Sequence, residues 1–167
     1  MNILEKFKAI KVFIFDMDGV LTDGSLIISN ETEWLRTMDI KDGYAMHVAA
    51  NNGYKMAVIS GSSSEPVKKR LQHLGVKDIF MGVPDKAALL IKYLEEQKID
   101  SSEVLYMGDD IPDYGCMNQV ALSCCPADAV SDIKQIVKYI SPFNGGHGCV
   151  RDVIEKVLKL HGKWKLE

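Results

Sequence analysis

The sequence predicts an α/β domain built on a doubly wound, mostly parallel sheet, and three observations lead to this fold class. Apolar runs occur at residues 12–15, 56–59 and 104–107 without the polar alternation of a half-exposed strand, which is typical of strands buried on both faces. Helical patterns lie between these runs, which is the order expected of βαβ units. A length of 167 residues with 47% hydrophobic and 26% charged residues suits one globular domain, expected to span 1–167.

The individual elements follow from these patterns in chain order. After the first run, residues 25–38 place a polar turn between two apolar stretches, which predicts a β-hairpin inserted after the first strand, far too small to be a covering domain. Helices are predicted over 42–52, 65–74 and 84–97, the last with proline at its start. Short strands are predicted at 121–123 and 139–140. A glycine-rich loop at 144–148, expected to approach a ligand closely, precedes a final helix at 149–161.

Charge and cysteine content limit the classes of partner and compartment. The formal net charge of −3 argues against a nucleic-acid partner, for which a basic face would be expected. The four cysteines, at positions 116, 124, 125 and 149, have no CxxC spacing, so we expect reduced core thiols in a cytoplasmic protein. The charged N-terminal segment and the lack of a long apolar run predict neither a secretory signal nor a membrane anchor.

Polar residues and glycines follow each of the three apolar runs. They are Asp16 and Asp18 after the first run, Ser60 and Gly61 after the second, and Asp109, Asp110 and Asp113 after the third. Such residues also favour turns, but ligands of open α/β sheets bind beyond the carboxyl ends of the strands. Their repetition after three buried strands therefore predicts one shared site rather than three unrelated turns.

The clustered carboxylates predict a magnesium site. Carboxylates held close together repel one another unless a cation joins them, and hard oxygen ligands suit Mg²⁺, which also bridges to phosphate oxygens. The same cation would relieve the repulsion between an attacking carboxylate and an anionic phosphate. The hydroxyl of Ser60, backbone N–H groups beside Gly61 and the ammonium of Lys86 are candidate ligands for phosphate oxygens. The predicted chemistry is magnesium-dependent attack on a phosphate ester by Asp16.

Four segments, taken in order, resemble the four motifs of the haloacid dehalogenase superfamily: FDMDGVLTDG at 15–24, ISG at 59–61, Lys86, and GDDIPD at 108–113. The resemblance covers residues 12–161. It implies that Asp16 is a nucleophile that forms an aspartyl-phosphate, and that Asp18 acts first as general acid and then as general base. The other implied residues are the magnesium ligands Asp16, Asp18 (through its backbone carbonyl) and Asp109, and the ligand-orienting Asp110 and Asp113.

Three stretches narrow the resemblance. DGVLTDG, DIKDGY at 39–44 and GGHGCVRD at 145–152 are similar to the small, cap-less phosphatases of 3-deoxy-D-manno-octulosonate 8-phosphate. This implies a sugar-acid phosphate as the small-molecule substrate, in lipopolysaccharide precursor synthesis. It also implies a homotetramer in which the hairpins pack centrally and a neighbouring subunit helps to close each site. The implied substrate- and phosphate-binding residues are Ser60, Gly61, Lys41, Asp42, Gly43, His47, Arg70 and Arg151.

Two departures from the resembled pattern leave alternatives open. Ser62 and His47 stand where the resembled phosphatases commonly carry arginine, so a nine-carbon keto-deoxy sugar acid 9-phosphate is an alternative substrate. His47 and Arg151 are alternatively plain surface residues of their helices. A receiver-like phospho-acceptor module is a competing class, but its phospho-acceptor usually lies on the third strand. A catalytically silent relative is disfavoured because no motif residue is missing.

Overall fold

The structure, a computed structural model, describes residues 2–30 and 32–165, so residues 1, 31, 166 and 167 of the predicted domain lie outside it. Within the described residues, six parallel strands form one sheet: β1 (Val12–Phe15), β2 (Lys55–Ile59), β3 (Asp78–Phe80), β4 (Val104–Met107), β5 (Leu122–Cys125) and β6 (Tyr139–Ile140). The strand order is β3-β2-β1-β4-β5-β6. This is the order of the doubly wound dinucleotide-binding type, whereas receiver modules have the order 2-1-3-4-5. The predicted α/β fold class is confirmed.

Helices cover both faces of the sheet. They are α1 (Ile3–Ala9), α2 (Ile40–Asn51), α3 (Glu65–His73), α4 (Lys86–Glu96), α5 (Tyr114–Met117), α6 (Ser131–Ile136) and α7 (Cys149–Leu160). Phe13 and Phe15 of β1 pack in one core with residues of α1, α2, α3 and α7, while Val12 and Ile14 face a second core with α4, α5 and α6. Burial on both faces explains why the strand sequences are continuously apolar.

Capping side chains set the helix starts and account for the differences from the predicted bounds. Asp39 accepts the N–H groups of Lys41 and Asp42, at 2.6 and 3.3 Å, so α2 begins at Ile40 rather than at residue 42. The carboxylate of Asp85 accepts the N–H of Ala88 at 3.0 Å, so α4 begins at Lys86, two residues later than predicted. The cap therefore fixes Lys86 in the first turn of α4.

The inserted segment at 25–38 takes the predicted antiparallel course, but its described residues are paired at two isolated positions only. Ile27 and Leu35 exchange both backbone hydrogen bonds at 3.1 Å, and Thr22 pairs with Met38. Residue 31, in the predicted turn, lies outside the described residues. Apolar side chains stand in the open on this segment, with Ile28 71% and Trp34 48% exposed.

The four cysteines are free and buried, as expected of core thiols. Burial raises the pKa of each thiol, to about 12 for Cys116 and about 11 for Cys125. In the described part of the chain, none of the helices has the length and apolar character needed to span a bilayer.

Candidate active site

A cleft of about 310 Å³ opens at the carboxyl ends of β1, β2 and β4. These strands are neighbours in the sheet, so the residues that follow them meet at one edge. The predicted site residues that line the cleft are Asp16, Asp18, Ser60, Gly61, Lys86, Asp109, Asp110 and Asp113. The structure thus brings together the polar residues and Gly61 that were predicted from the ends of the three strands, with Lys86.

Asp16 lies at the end of β1 and is 6% exposed. Its N–H donates to the carbonyl of Met107 at 2.9 Å, which continues the pairing with β4. Its Oδ1 accepts the N–H of Met17 at 2.7 Å and lies 2.8 Å from Nζ of Lys86. Burial, with a contribution from the charge of Asp113, raises the pKa of Asp16 to about 8, and Lys86 opposes the shift. One oxygen of Asp16 is therefore held by donors while the group remains close to other acids.

Asp113 is the hub of the buried network beside Asp16. Its Oδ1 accepts hydrogen bonds from Nζ of Lys86 at 2.9 Å and from the hydroxyl of Tyr106 at 2.7 Å, while its Oδ2 accepts the N–H of Asp109 at 3.1 Å. Burial would lower the pKa of Lys86, but the charges of Asp113 and Asp16 outweigh it and raise that pKa. Lys86 is therefore a protonated cation, and Asp113 is occupied by donors on both oxygens.

The acids of the cleft form a group with the geometry of a cation site. Carboxylate oxygens of Asp16, Asp109 and Asp113 lie within 4.8 Å of one another. Burial, followed by the charges of Asp113 and Asp110, raises the pKa of Asp109 to about 7. A divalent cation reverses such a shift because it favours the ionised carboxylates. Hard oxygen donors in this number fit Mg²⁺, and the occupied oxygens of Asp113 leave Asp16 and Asp109 as the better side-chain ligands.

Gly19 keeps the space beside Asp109 open. Its φ of +85° lies in the left-handed region, and a Cβ at this position would come within 2.1 Å of Oδ2 of Asp109. Any larger residue would therefore push the turn away from the acidic group. The glycine of the DMDG sequence is required by this close approach.

Asp18 is held by a residue that sequence reasoning missed. Arg36, on the inserted segment, donates from Nε to Oδ1 of Asp18 at 2.7 Å and from Nη2 to Oδ2 at 3.3 Å. The hydroxyl of Ser62 donates to Oδ2 at 2.6 Å. Arg36 belongs to none of the four motifs. The only feature of the sequence that could have indicated its role is its position as a cation at the end of an apolar arm of the predicted hairpin.

Ser60 and Ser62 form the wall of the cleft after β2. Ser60 is buried, and its Oγ accepts the N–H of Ser62 at 3.2 Å. Because the hydroxyl of Ser62 donates to Asp18, the hydroxyl of Ser60 donates to Oγ of Ser62 at 3.3 Å, and an anionic ligand would have to take this hydrogen in place of Ser62. Ser62, one of the two departures from the resembled pattern, links Ser60 to Asp18.

Lys41 and Arg151, predicted to bind substrate, lie in a second pocket of about 360 Å³ instead of in the cleft. Asp42 is 2% exposed, and its carboxylate accepts the N–H groups of Gly148 and Arg151 at 3.2 and 2.7 Å. It thereby satisfies free backbone donors at the start of α7. Burial raises the pKa of Asp42 to about 6, against the effect of those two N–H groups. Within one chain Asp42 is a structural residue.

The other predicted sugar-binding residues also lie outside the cleft. A Cβ on Gly43 would come within 2.9 Å of Nη2 of Arg70, so this glycine allows close packing between α2 and α3. His47 is exposed on α2 and its Nε2 lies 3.0 Å from the side-chain nitrogen of Asn51. Substrate contact by any of these residues stays a prediction that requires a second chain.

The glycine-rich loop at 144–148 closely approaches the backbone of the turn that follows Asp16. A Cβ on Gly145 would come within 1.9 Å of the carbonyl oxygen of Gly19, and the N–H of Gly146 donates to the carbonyl of Val20 at 2.9 Å. The thiol of Cys149 donates to the same carbonyl at 3.3 Å. The loop therefore supports the turn that follows Asp16, and its approach to a ligand stays a prediction.

Comparisons with known proteins show which family and which solved structures the chain is similar to. The model of a family described as haloacid dehalogenase-like hydrolase matches residues 39–125. The 3-deoxy-D-manno-octulosonate 8-phosphate phosphatase KdsC of Escherichia coli K12 is 32% identical over 97% of this chain and 86% of its own length. The crystal structure of such a phosphatase from Yersinia pestis has a TM-score of 0.92 at 29% identity, and covers 96% of this chain and 86% of that one. A Moraxella catarrhalis phosphatase of the same name, in complex with magnesium, phosphate and KDO, has a TM-score of 0.91 at 32% identity over 95% and 91% of the two chains.

Proposed function

The chain belongs to the haloacid dehalogenase-like hydrolase family, and from this premise we propose that it is a magnesium-dependent phosphatase of 3-deoxy-D-manno-octulosonate 8-phosphate. The enzyme class is phosphoric monoester hydrolase, as for the named relatives. The observation that carries the proposal is the contact of Asp16 with Lys86 beside Asp109 and Asp113 in one cleft. The product is the free sugar acid, for use in lipopolysaccharide precursor synthesis.

The first half of the reaction transfers the phosphoryl group to Asp16. A carboxylate oxygen of Asp16 attacks phosphorus, the bond to the sugar oxygen breaks, and Asp18 donates a proton to that leaving oxygen. Lys86, 2.8 Å from Oδ1 of Asp16, stabilises the negative charge that develops on the phosphoryl oxygens. The hydroxyl of Ser60 and the N–H groups beside Gly61 bind those oxygens from the opposite wall.

The second half returns Asp16 to its free form. Water attacks phosphorus of the aspartyl-phosphate, Asp18 accepts the proton of the water, and inorganic phosphate leaves. When bound between Asp16, the backbone carbonyl of Asp18 and Asp109, magnesium supplies positive charge that offsets the repulsion between the anionic groups. Asp113 orients Lys86 and the backbone of Asp109 through the hydrogen bonds described above.

Ser62 favours a second candidate substrate of the same class, a nine-carbon keto-deoxy sugar acid 9-phosphate. Ser62 lies in the cleft where the resembled phosphatases commonly carry arginine, and a shorter side chain leaves room for a longer substrate. The contact of Arg36 with Oγ of Ser62, at 3.3 Å, supplies a guanidinium at this wall from another segment. Because Arg36 places a guanidinium beside Ser62, the cleft still has an arginine at the wall where the resembled phosphatases carry one. The eight-carbon substrate is therefore the first choice.

Phosphate release from a panel of monoesters tests the proposal. We expect kcat/KM for the 8-phosphate to exceed that for the 9-phosphate by about tenfold or more, because a pocket discriminates one extra carbon by roughly this factor. Each chain should release many phosphates, whereas a phospho-acceptor module would retain one. A preference for the 9-phosphate would select the alternative substrate, and the absence of release from every monoester would refute the phosphatase.

We also infer a homotetramer built through the inserted segment. A lone two-stranded hairpin cannot bury its own apolar side chains, and symmetric contact with other subunits is a common solution. The exposed apolar side chains of the segment are Leu26, Ile27, Ile28, Trp34 and Leu35. Assembly would bring the cationic Lys41 and Arg151 of one chain within reach of a neighbouring cleft, where they would bind the substrate carboxylate.

Light scattering of Ile28→Glu tests this assembly. The unaltered chain is expected to have four times the mass of one subunit, and the variant a smaller mass, because a buried carboxylate in an apolar interface is costly. The matched control is Ile136→Glu, on α6 outside the inserted segment, where the residue is 37% exposed. A monomeric unaltered chain with full selectivity for the sugar-acid phosphate would contradict the shared site.

A further inference from the structure

Arg36 brings a nearly buried guanidinium from the inserted segment into the catalytic cleft. Its side chain is 5% exposed. Besides the two contacts with Asp18, Nη2 donates to Oγ of Ser62 at 3.3 Å and Nη1 donates to the carbonyl of Trp34 at 3.2 Å. A buried cation is retained only where it is paired and hydrogen-bonded, and here the ionic partner is a residue of the proposed mechanism.

We propose that Arg36 is a positioning residue that fixes the carboxyl group of Asp18 for proton transfer to the leaving oxygen, an inference that rests on the proposed function. The planar fork of a guanidinium contacts both oxygens of a carboxylate and so fixes its plane as well as its position. The other side-chain donors contact one oxygen each: the hydroxyl of Ser62 donates to Oδ2 at 2.6 Å and the hydroxyl of Thr22 donates to Oδ1 at 3.4 Å. Arg36 thus holds both oxygens of Asp18 from one rigid group, by a shorter contact with Oδ1 than that of Thr22.

The inserted segment is anchored so that it can hold Arg36 in place. The backbone of Leu35, the preceding residue, exchanges two hydrogen bonds with Ile27. On the same arm, Oε1 of Glu33 accepts a hydrogen bond from the hydroxyl of Ser64 at 2.8 Å, and Ser64 caps α3. These contacts fix the arm before Arg36, and the bridge between Met38 and Thr22 fixes it after Arg36. The insert therefore contributes to catalysis within one chain, independently of its role between chains.

Leaving groups of different acidity separate this role from a purely structural one. Departure of a sugar alkoxide requires a proton from Asp18, whereas p-nitrophenolate departs from p-nitrophenyl phosphate without one. The ratio kcat/KM contains only the steps up to departure of the leaving group. We expect Arg36→Gln to lower kcat/KM for the sugar-acid phosphate by roughly 30–100-fold, the cost of a misplaced catalytic group, and that for p-nitrophenyl phosphate by less than about threefold.

Four further variants complete the test. Arg36→Lys keeps the positive charge and supports folding but loses the planar guanidinium that contacts both oxygens. It should therefore show the same split, a larger loss of kcat/KM for the sugar-acid phosphate than for p-nitrophenyl phosphate, to a smaller extent. Asp18→Asn should show the full split, and addition of Arg36→Gln to it should cause no further loss, because the two residues act as one unit. Lys69→Gln, which removes an exposed cation on α3, is the charge control.

The outcomes distinguish the inference from the function on which it rests. Equal losses with both monoesters, or no loss with either, in both Arg36 variants would overturn the positioning role and leave the phosphatase intact. If the unaltered chain hydrolyses neither monoester, the proposed function and the role of Arg36 fall together. A split that appears in the Arg36 variants and is absent in Lys69→Gln establishes the role.

Discussion

Substitution of Asp16 by asparagine is expected to lower kcat by on the order of 10⁴-fold or more, because the amide has no charged oxygen with which to attack phosphorus. The fold should persist. Asparagine has the shape of aspartate, and Lys86 retains its contact with Asp113 at 2.9 Å. Burial and the charge of Asp113 raise the pKa of Asp16 to about 8. Replacement of this acid by a neutral amide therefore also lessens the repulsion between the acids of the cleft.

Steady-state kinetics and trapping of the phosphoenzyme measure this effect. The unaltered chain should incorporate labelled phosphate into Asp16, and Asp16→Asn should incorporate none. The matched control is Asp100→Asn, an exposed cap of the turn before β4, at the opposite end of the sheet. Asparagine caps as well as aspartate, so this variant should retain full activity. Near-normal turnover by Asp16→Asn would reject Asp16 as the nucleophile.

Removal of magnesium is expected to lower the rate by on the order of 10²–10³-fold, since a metal ion contributes several kcal/mol of charge stabilisation to such reactions. Activity should return when Mg²⁺ is added after a chelator. Binding should also stabilise the fold, by about 2.7 kcal/mol at a hundred times the Kd. For a chain of this size this corresponds to a rise in Tm of roughly 5–10 °C.

The thermal shift has its own controls, independent of turnover. Asp109→Asn removes a proposed ligand and should lose most of the Mg²⁺-induced rise in Tm. Asp132→Asn, an exposed acid in the first turn of α6, should retain it. Full activity of metal-free protein, or an unchanged shift in Asp109→Asn, would contradict the assigned site.

The sheet and the motif residues could be predicted because their signals are local. A strand buried on both faces needs a continuous apolar run, and the residues that follow adjacent parallel strands must meet at one edge. β3 was missed because it is a half-buried edge strand of three residues with the sequence DIF. α1 was missed because its capping box, formed by Asn2 and Glu5, precedes a helix of only seven residues.

Long-range pairing explains which side-chain roles the sequence could not reveal. Asp42 meets its partners 106 and 109 residues further along the chain, and a carboxylate has the same sequence signature whether it meets a substrate or backbone N–H groups. Arg36 is 18 residues from Asp18 and belongs to a segment with no regular strand to indicate its direction. Residue type suggested a ligand in the first case and nothing in the second.

The contact of the 144–148 loop with the turn after Asp16 has a consequence for local opening. The carbonyl of Val20 is bonded from Gly146 and Cys149, and α7, which begins at Cys149, is anchored by fully buried residues such as Val153 and Ile154. Opening the nucleophile turn therefore requires release of a core helix, at a free energy close to that of global unfolding. The inserted segment, with two isolated bridges, opens at far lower cost. The turn that carries the nucleophile is thus more stable against local opening than the insert, which is held by its two bridges and by the side chains of Glu33 and Arg36.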